Sequence, residues 1–451
     1  MFNRKVFLHA LLVLFTLILL FASGCGSGGG SSSESTDGST PPATPAPPPK
    51  VQIYGLSFSP YQGNQDPNQG VVVFAEQIEK RMKVIAPYTQ WIRTFGCTRG
   101  LEHAGAIAHG LKLKIAMGAW LGKDSAANEA ELQSLIDRAK ANEVDLAIIG
   151  SEVLYRGDLV PAALITYIQR FRAEVPNVPV ATAEVYSELL AHPEVVAECD
   201  VLLSNYYPYW EGVDVNSAIA WLHARHQQVV ASAGAREVIV SETGWPSAGS
   251  RLDDAVPSTD NAAFYFKNFV SWAISENVNY FYFEAFDEPW KASYESPGAH
   301  WGVWDKDGNL KPGMQAVFDG GTVADNWTCR DIPGGTGAAV IEFTVVPAIG
   351  SFDNLRGQVW HVEPDQHGVA VYIKMNGGWW TKPYWNSPVT AIACDGSWLC
   401  DITTGGEDAQ ATGIAVFLIP LTYTPPAATW AGVLPVELYT NSLANIEAAR
   451  D

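Results

Sequence analysis

Between Val51 and about Gly320 the chain repeats one pattern, a short apolar run followed by a turn and a longer amphipathic stretch. Eight strand-like runs can be counted: Val51–Ser59, Trp91–Phe95, Lys112–Ala119, Leu146–Ser151, Val180–Tyr186, Val201–Tyr206, Glu237–Ser241 and Tyr280–Phe286. Several show no polar alternation, as expected of strands covered on both faces. Helix-like stretches separate them at Val71–Ile85, Ala127–Ala141, Pro161–Ala173, Ser217–Ala233 and Asn261–Glu276. This rhythm over about 270 residues is that of an α/β fold of the (β/α)8 TIM-barrel type. The competing arrangement is a doubly wound open sheet. It would carry a glycine-rich phosphate loop after the first strand, and none is present.

The segments on either side differ in kind. Residues 1–25 read as a lipoprotein signal peptide: Arg4 and Lys5, then the nearly continuous apolar run Val6–Phe21, then Ala22-Ser23-Gly24-Cys25. A charged start, a short apolar core and small residues before a cysteine resemble the lipobox of bacterial lipoproteins, which implies acylation of Cys25. Ala22 stands where such motifs usually have leucine. Gly26 is not the acidic residue that resembles an inner-membrane retention signal, so the expected location is the cell envelope, on the outer membrane, with the rest of the chain periplasmic or extracellular. Residues 26–50 form a Gly/Ser- and then Pro-rich tether without core-forming residues. The barrel is assigned to 51–321. Residues 322–451 carry β-branched or alternating runs, namely Ala339–Val346, Gln358–Val362, Val369–Lys374, Ala391–Ala393 and Ile414–Leu418. They predict a smaller antiparallel β domain of sandwich type.

Charge narrows the partners. The chain has 28 Lys+Arg against 48 Asp+Glu, a formal net charge of −20, which argues against nucleic acid. Sixteen Trp, 17 Tyr and 18 Phe fit either a large core or aromatic faces for a neutral sugar. The nine histidines show no metal-ligand spacing, so no metal and no cofactor is expected. A monomer is expected.

In a barrel of this type the chemistry lies at the carboxyl ends of the strands. Three such ends carry carboxylates: Gly150-Ser151-Glu152 after strand four, Ser241-Glu242-Thr243 after strand seven, and Glu284, Asp287 and Glu288 after strand eight. Strands four and seven face each other across the barrel mouth. Retaining cleavage of a glycosidic bond needs two carboxyls roughly 5–5.5 Å apart, one protonated and one ionised. Glu152 and Glu242 are placed for these roles, and Val153 and Leu154 favour a protonated Glu152 by desolvation. The alternative is that one or both are salt-bridged structural acids.

At these positions Ser241-Glu242-Thr243-Gly244-Trp245-Pro246-Ser247 resembles the nucleophile motif of the family 17 glycoside hydrolases, which are β-1,3-glucanases and glucanosyltransferases. Phe283–Lys291 with His300-Trp301-Gly302-Val303 resembles that family's last-strand block. Ile92-Arg93-Thr94-Phe95-Gly96 and Asn205-Tyr206-Tyr207-Pro208-Tyr209 resemble its second- and sixth-strand blocks. The resemblance covers about Val51–Gly320. It implies Glu242 as nucleophile, Glu152 as acid/base, Tyr207 orienting the nucleophile, and Glu288 and Lys291 as supporting or sugar-binding residues. It implies hydrolysis of β-glucan or glucanosyl transfer by the same residues; a binding protein with a decayed barrel is a further alternative. Arg93 is read as holding a carboxylate in its ionised form, and Trp245 and Trp290 as sugar-stacking faces or core residues. One position departs from the family: Ser151 stands where an asparagine expected to bind the sugar 2-hydroxyl usually precedes the acid/base.

Six cysteines remain to be placed. Cys25 is assigned to lipid. The short turn-containing segment between Cys394 and Cys400 predicts a Cys394–Cys400 disulfide in an exported protein. Cys97, Cys199 and Cys329 leave at least one free thiol, with connectivity open. Gly378–Trp385 concentrates aromatic residues, either an exposed sugar platform or a sandwich core.

Overall fold

The computed structural model describes residues 49–451 except 330, 386 and 387. Cys25 and nearly all of the tether lie outside the described residues.

Seven parallel strands form one sheet in sequence order: β1 (Ile53–Ser57), β2 (Thr89–Arg93), β3 (Lys114–Ala119), β4 (Leu146–Ser151), β5 (Val180–Val185), β6 (Leu202–Asn205) and β7 (Val238–Glu242). All six residues of β4 are buried, as a strand covered on both faces requires. The eighth expected strand is present as isolated bridges instead of a ladder. Tyr282 pairs with Leu56 of β1 and Tyr280 with Val240 of β7, both parallel, so the sheet is nearly closed. Gly55 permits this approach, since a Cβ there would lie 2.6 Å from the Tyr280 carbonyl.

The outer helices form where the apolar spacing placed them, with local chemistry fixing their starts. In Ser125–Lys140, Asp124 caps the amides of Ala126 and Ala127 at 2.9 and 3.2 Å, and Leu132, Leu135, Ile136 and Ala139 face the sheet. Pro161 opens Pro161–Glu174 at the first helical position. Ser258 caps Thr259–Ser275 through the Asn261 amide at 3.0 Å.

After residue 339 two antiparallel sheets follow. The smaller contains Val340–Val345, Leu355–Trp360 and Ser397–Cys400; the larger is built on His367–Met375, Gly378–Lys382, Gly413–Pro420, Thr429–Ala431 and Ala444–Ala449. Alternation sorts the larger sheet's side chains. Val369, Val371, Ile373, Ile414, Val416 and Leu418 pack toward the smaller sheet, and Ala370, Tyr372, Ala415, Phe417 and Ile419 pack on the other side with Leu434 and Leu438. These sheets lean on the barrel at its rim. Asn354 Nδ2 donates to Asp253 Oδ2 at 2.9 Å, and Arg356 pairs with Asp254, both in the loop after β7.

The expected Cys394–Cys400 disulfide is not formed, and this is a correction. Cys394 pairs with Cys329, 65 residues away. Cys394 sits in the tight turn of a hairpin in which Ile392 lies opposite Trp398. Beyond Trp398 the strand carries Cys400 away from the turn and into register with Leu355, where its thiol is free and buried. Proximity in sequence suggested a small loop, whereas strand pairing pulls the two cysteines apart. Cys97 and Cys199 are also free and buried.

Candidate active site

The ends of β2, β4, β6 and β7 deliver Arg93, Ser151, Glu152, Asn205 and Glu242 to one place. Glu242 Oε1 receives Arg93 Nη1 at 2.7 Å, Asn205 Nδ2 at 3.1 Å and the Ser151 hydroxyl at 3.3 Å, while Oε2 receives the Tyr207 hydroxyl at 2.7 Å. Four donors, one of them the buried Arg93 guanidinium, converge on this carboxyl. Arg93 is itself fully buried and spans the site, its other contacts being the Ser241 carbonyl at 2.8 Å and Ser151 Oγ at 3.0 Å.

Glu152 lies one residue beyond β4 with φ of 54°, in the left-handed region that side chains other than glycine seldom adopt. Holding it there costs about 1 kcal/mol or more. The turn is clamped from below. Glu184, buried at the end of β5, accepts the amides of Leu154 and Tyr155 at 2.8 and 3.4 Å, and Arg156 donates to the carbonyls of Ser151 and Leu121. Burial first, and then the negative charge of Glu242, raise the Glu152 pKa from its ordinary 4.5 to about 7.

Asn205 joins the two acids. Its Nδ2 donates to Glu152 Oε1 at 2.8 Å as well as to Glu242 Oε1, and its Oδ1 accepts from the Ser241 hydroxyl at 2.6 Å, which fixes the amide's orientation. Two oxygens sharing one nitrogen at 2.8 and 3.1 Å lie within about 6 Å of each other, on the short side of glycosidase geometry.

A second cluster borders the first. Lys291 Nζ holds both oxygens of Glu284 at 2.8 Å and Glu288 Oε2 at 2.7 Å, and Glu288 Oε1 also takes the Trp290 indole N–H at 3.0 Å and the Ser59 hydroxyl. Burial raises the Glu284 carboxyl well above its ordinary range; Glu288, though equally buried, is lowered by the Lys291 charge and the hydrogen bonds around it. Lys291 thus bridges two buried carboxyls whose pKa values are pushed in opposite directions.

The structure thus gathers Arg93, Ser151, Glu152, Tyr207 and Glu242 at one centre and puts Glu288, Trp290 and Lys291 beside it. Trp245 is corrected from a possible sugar face to a core residue. It is 1% exposed, its N–H donates to the Val256 carbonyl at 3.0 Å, and it packs on Tyr209 and Tyr265. Ser151 Oγ accepts from Arg93 and donates to Glu242. Sequence reasoning assigned no individual role to Asn205 or Glu284, although both lie in quoted blocks, and it passed over Glu184. A carboxylate closing an otherwise apolar strand was the available signal for Glu184. Among the described residues no group of three His, Cys, Asp or Glu side chains is placed to hold a metal ion.

A parallel barrel-like sheet whose rim brings two glutamates onto one shared amide has the arrangement expected of a glycoside-hydrolase site. The model of the BtgE/BtgC glycoside hydrolase domain matches residues 55–302, and the chain belongs to that group of family 17 glycoside hydrolases. It is 29% identical over 305 residues to a probable glucan endo-1,3-beta-glucosidase, btgC, of Aspergillus terreus, covering 60% of this chain and 46% of that protein. It is 28% identical over 277 residues to a glucan 1,3-beta-glucosidase of Saccharomyces cerevisiae, covering 56% of this chain and 88% of the relative. The chain thus spans less than half the length of the Aspergillus relative. Among solved structures, the family 17 β-1,3-glucanosyltransferase of Rhizomucor miehei is 34% identical with a TM-score of 0.53, covering 58% of this chain and 96% of that one. An active-site mutant of the Rhizomucor miehei enzyme has been solved with laminaritriose.

Proposed function

We propose that the chain is a retaining glycoside hydrolase that cleaves β-1,3-glucan internally, with Glu242 as nucleophile and Glu152 as acid/base. The observation carrying this reading is the single Asn205 amide bonded to both carboxyls, one raised toward neutrality and the other held by Arg93. Glu242 attacks the anomeric carbon while Glu152 gives its proton to the departing oxygen, leaving a glycosyl ester on Glu242. Glu152, now ionised, takes a proton from water, and the resulting nucleophile opens the ester with net retention. The names of the fungal relatives support the β-1,3 linkage.

Transfer is the second reading, favoured by the glucanosyltransferase neighbour at 34% identity. A sugar hydroxyl then replaces water in the last step. Products from β-1,3-oligosaccharides decide between the two. Shorter sugars alone mean hydrolysis, longer ones mean transfer, and no turnover that depends on Glu242 removes both.

The same reading takes the closing Tyr280–Phe286 segment as the eighth strand of a (β/α)8 barrel over 51–321 and the two later sheets, over 322–451, as an accessory domain. It places a monomeric enzyme on a lipid at Cys25, on the outer membrane. The lipobox-like residues before Cys25 and the tether to residue 50 support that placement. Mass spectrometry of the cell-derived chain would test it: an N-terminus other than acylated Cys25 removes the anchor.

A further inference from the structure

The larger C-terminal sheet has an aromatic strip that the catalytic centre does not use. Gly378, Trp380 and Lys382 lie on one face of the strand Gly378–Lys382, opposite Met375, Ile373 and Val371 of the neighbouring strand. This is the face that packs on the smaller sheet, and Trp380 sits at the border of that core. At Gly378 the space a side chain would occupy is filled by the indole of Trp430, whose Cδ1 lies 2.5 Å from where a Cβ would stand. Glycine at 378 is therefore what lets the ring lie down on the strand. Two residues along a strand span about 6.6 Å, which brings the strip to Trp380. Trp385 then stacks on Trp380 with ring centroids 6.4 Å apart and planes at 24°. Trp430 is 63% and Trp385 56% exposed, so two of the three indoles present themselves to solvent.

The surroundings select the occupant. Lys382 continues the same face but is neutralised by Asp408 and donates to Thr404 at 3.1 Å. The buried Lys382–Asp408 pair thus brings no free charge to the strip. Such a surface suits a ligand with flat apolar faces, hydroxyl edges and no charge.

We propose that Trp430, Trp380 and Trp385 form a glucan-binding surface outside the catalytic centre, which holds the polysaccharide near the enzyme. This rests on the glucan-hydrolase reading above for the identity of the sugar. The test uses the full chain in two backgrounds. In Glu242→Gln, retention on insoluble β-1,3-glucan reads binding without turnover. Trp385→Ala and Trp430→Ala are each expected to weaken it roughly tenfold, while Trp385→Phe retains most of it. In the active background, the double alanine variant is expected to lose much more kcat/KM on the polymer than on laminaritriose. The proposal is overturned if the double variant binds like its parent, if polymer and trimer rates fall equally, or if vesicles or an acidic polysaccharide are retained in place of neutral glucan. Absence of turnover in the unaltered chain would sink the hydrolase reading alone, because binding is measured independently of it.

Discussion

Asn205 donates to Glu152 at 2.8 Å from the end of β6, and Ser241 holds the amide so that its nitrogen, not its oxygen, faces the acid. The same nitrogen touches Glu242. Asn205 therefore sets the spacing of the two carboxyls and screens part of their repulsion. Replacing it with alanine should lower kcat by about a hundredfold, the usual cost of losing one preorganised donor. KM should change far less. A kcat within a few-fold of the parent enzyme would show that Arg93 and Tyr207 hold the pair unaided.

In the proposed mechanism the raised Glu152 carboxyl should set the alkaline side of the pH profile. The acid must carry its proton to assist departure, so kcat/KM should fall as pH rises through about 7. The Glu242 charge is the second cause of the shift after burial, so Glu242→Gln should lower the Glu152 pKa, measurable by NMR titration in the inactive protein. The stability sign follows. Glu152 and Glu184 have folded pKa values of about 7 and about 8, above the ordinary 4.5. Their contribution is fully present below 4.5 and is lost as pH rises through 7 to 8. Denaturant midpoints at pH 5 and pH 8 check it. A midpoint that rises over this interval would show that other groups outweigh the pair.

Removing each carboxyl should separate the two roles. Glu152→Gln is expected to cost about 10²–10⁴ in kcat/KM on glucan, the range for a general acid. It should cost far less on an aryl glycoside whose leaving group needs no proton. Glu242→Gln should abolish turnover on both. Equal losses on both substrates from Glu152→Gln would move the proton donor elsewhere.

The barrel was legible because its signals are local. Apolar runs without alternation, capping residues such as Asp124 and Ser258, and carboxylates at strand ends are visible in a few consecutive residues. The C-terminal part was read less well. Gly378–Lys382 and Ser397–Cys400 are strands, yet the first reads as an aromatic run and the second as a cysteine loop, since pairing partners far along the chain decide both. Trp245 shows the same limit from the other side. Its motif placed it at the rim, but the motif does not say which way the ring turns. Asn205 was visible in its block, but its two bonds depend on β4, β6 and β7 converging.

Glu184 holds the turn that bears the proposed acid, Glu152. Its carboxyl oxygens take the Leu154 and Tyr155 amides just past a glutamate held at φ of 54°. Without that clamp the turn can relax toward an unstrained conformation and carry Glu152 away from Asn205. Glu184→Ala should therefore lower kcat by roughly 10- to 100-fold through misplacement, with KM for laminari-oligosaccharides nearly unchanged. Glu184→Gln, which keeps one acceptor, should recover part of the loss. Parallel rises in KM, or no recovery by glutamine, would show a wider collapse of the rim instead of a displaced acid.

The Cys329–Cys394 bridge makes the last prediction, and it concerns the sheets and not the site. The bridge closes a loop of 65 residues that includes most of the smaller sheet and both of the strands bearing Gly378 and His367. A loop of that size constrains the unfolded chain by about 4 kcal/mol in the chain-entropy account. Cys394→Ser, or reduction, should therefore lower the C-terminal unfolding transition, and since Cys394 also packs against the barrel's core cluster, a smaller loss of barrel stability should accompany it. Peptide mapping should find Cys329 joined to Cys394 and Cys400 alkylated only after denaturation, because its thiol is buried against Leu355 and Trp398. A Cys394–Cys400 peptide in the native protein would overturn the register of that hairpin, and with it the placement of Ser397–Cys400 as a strand.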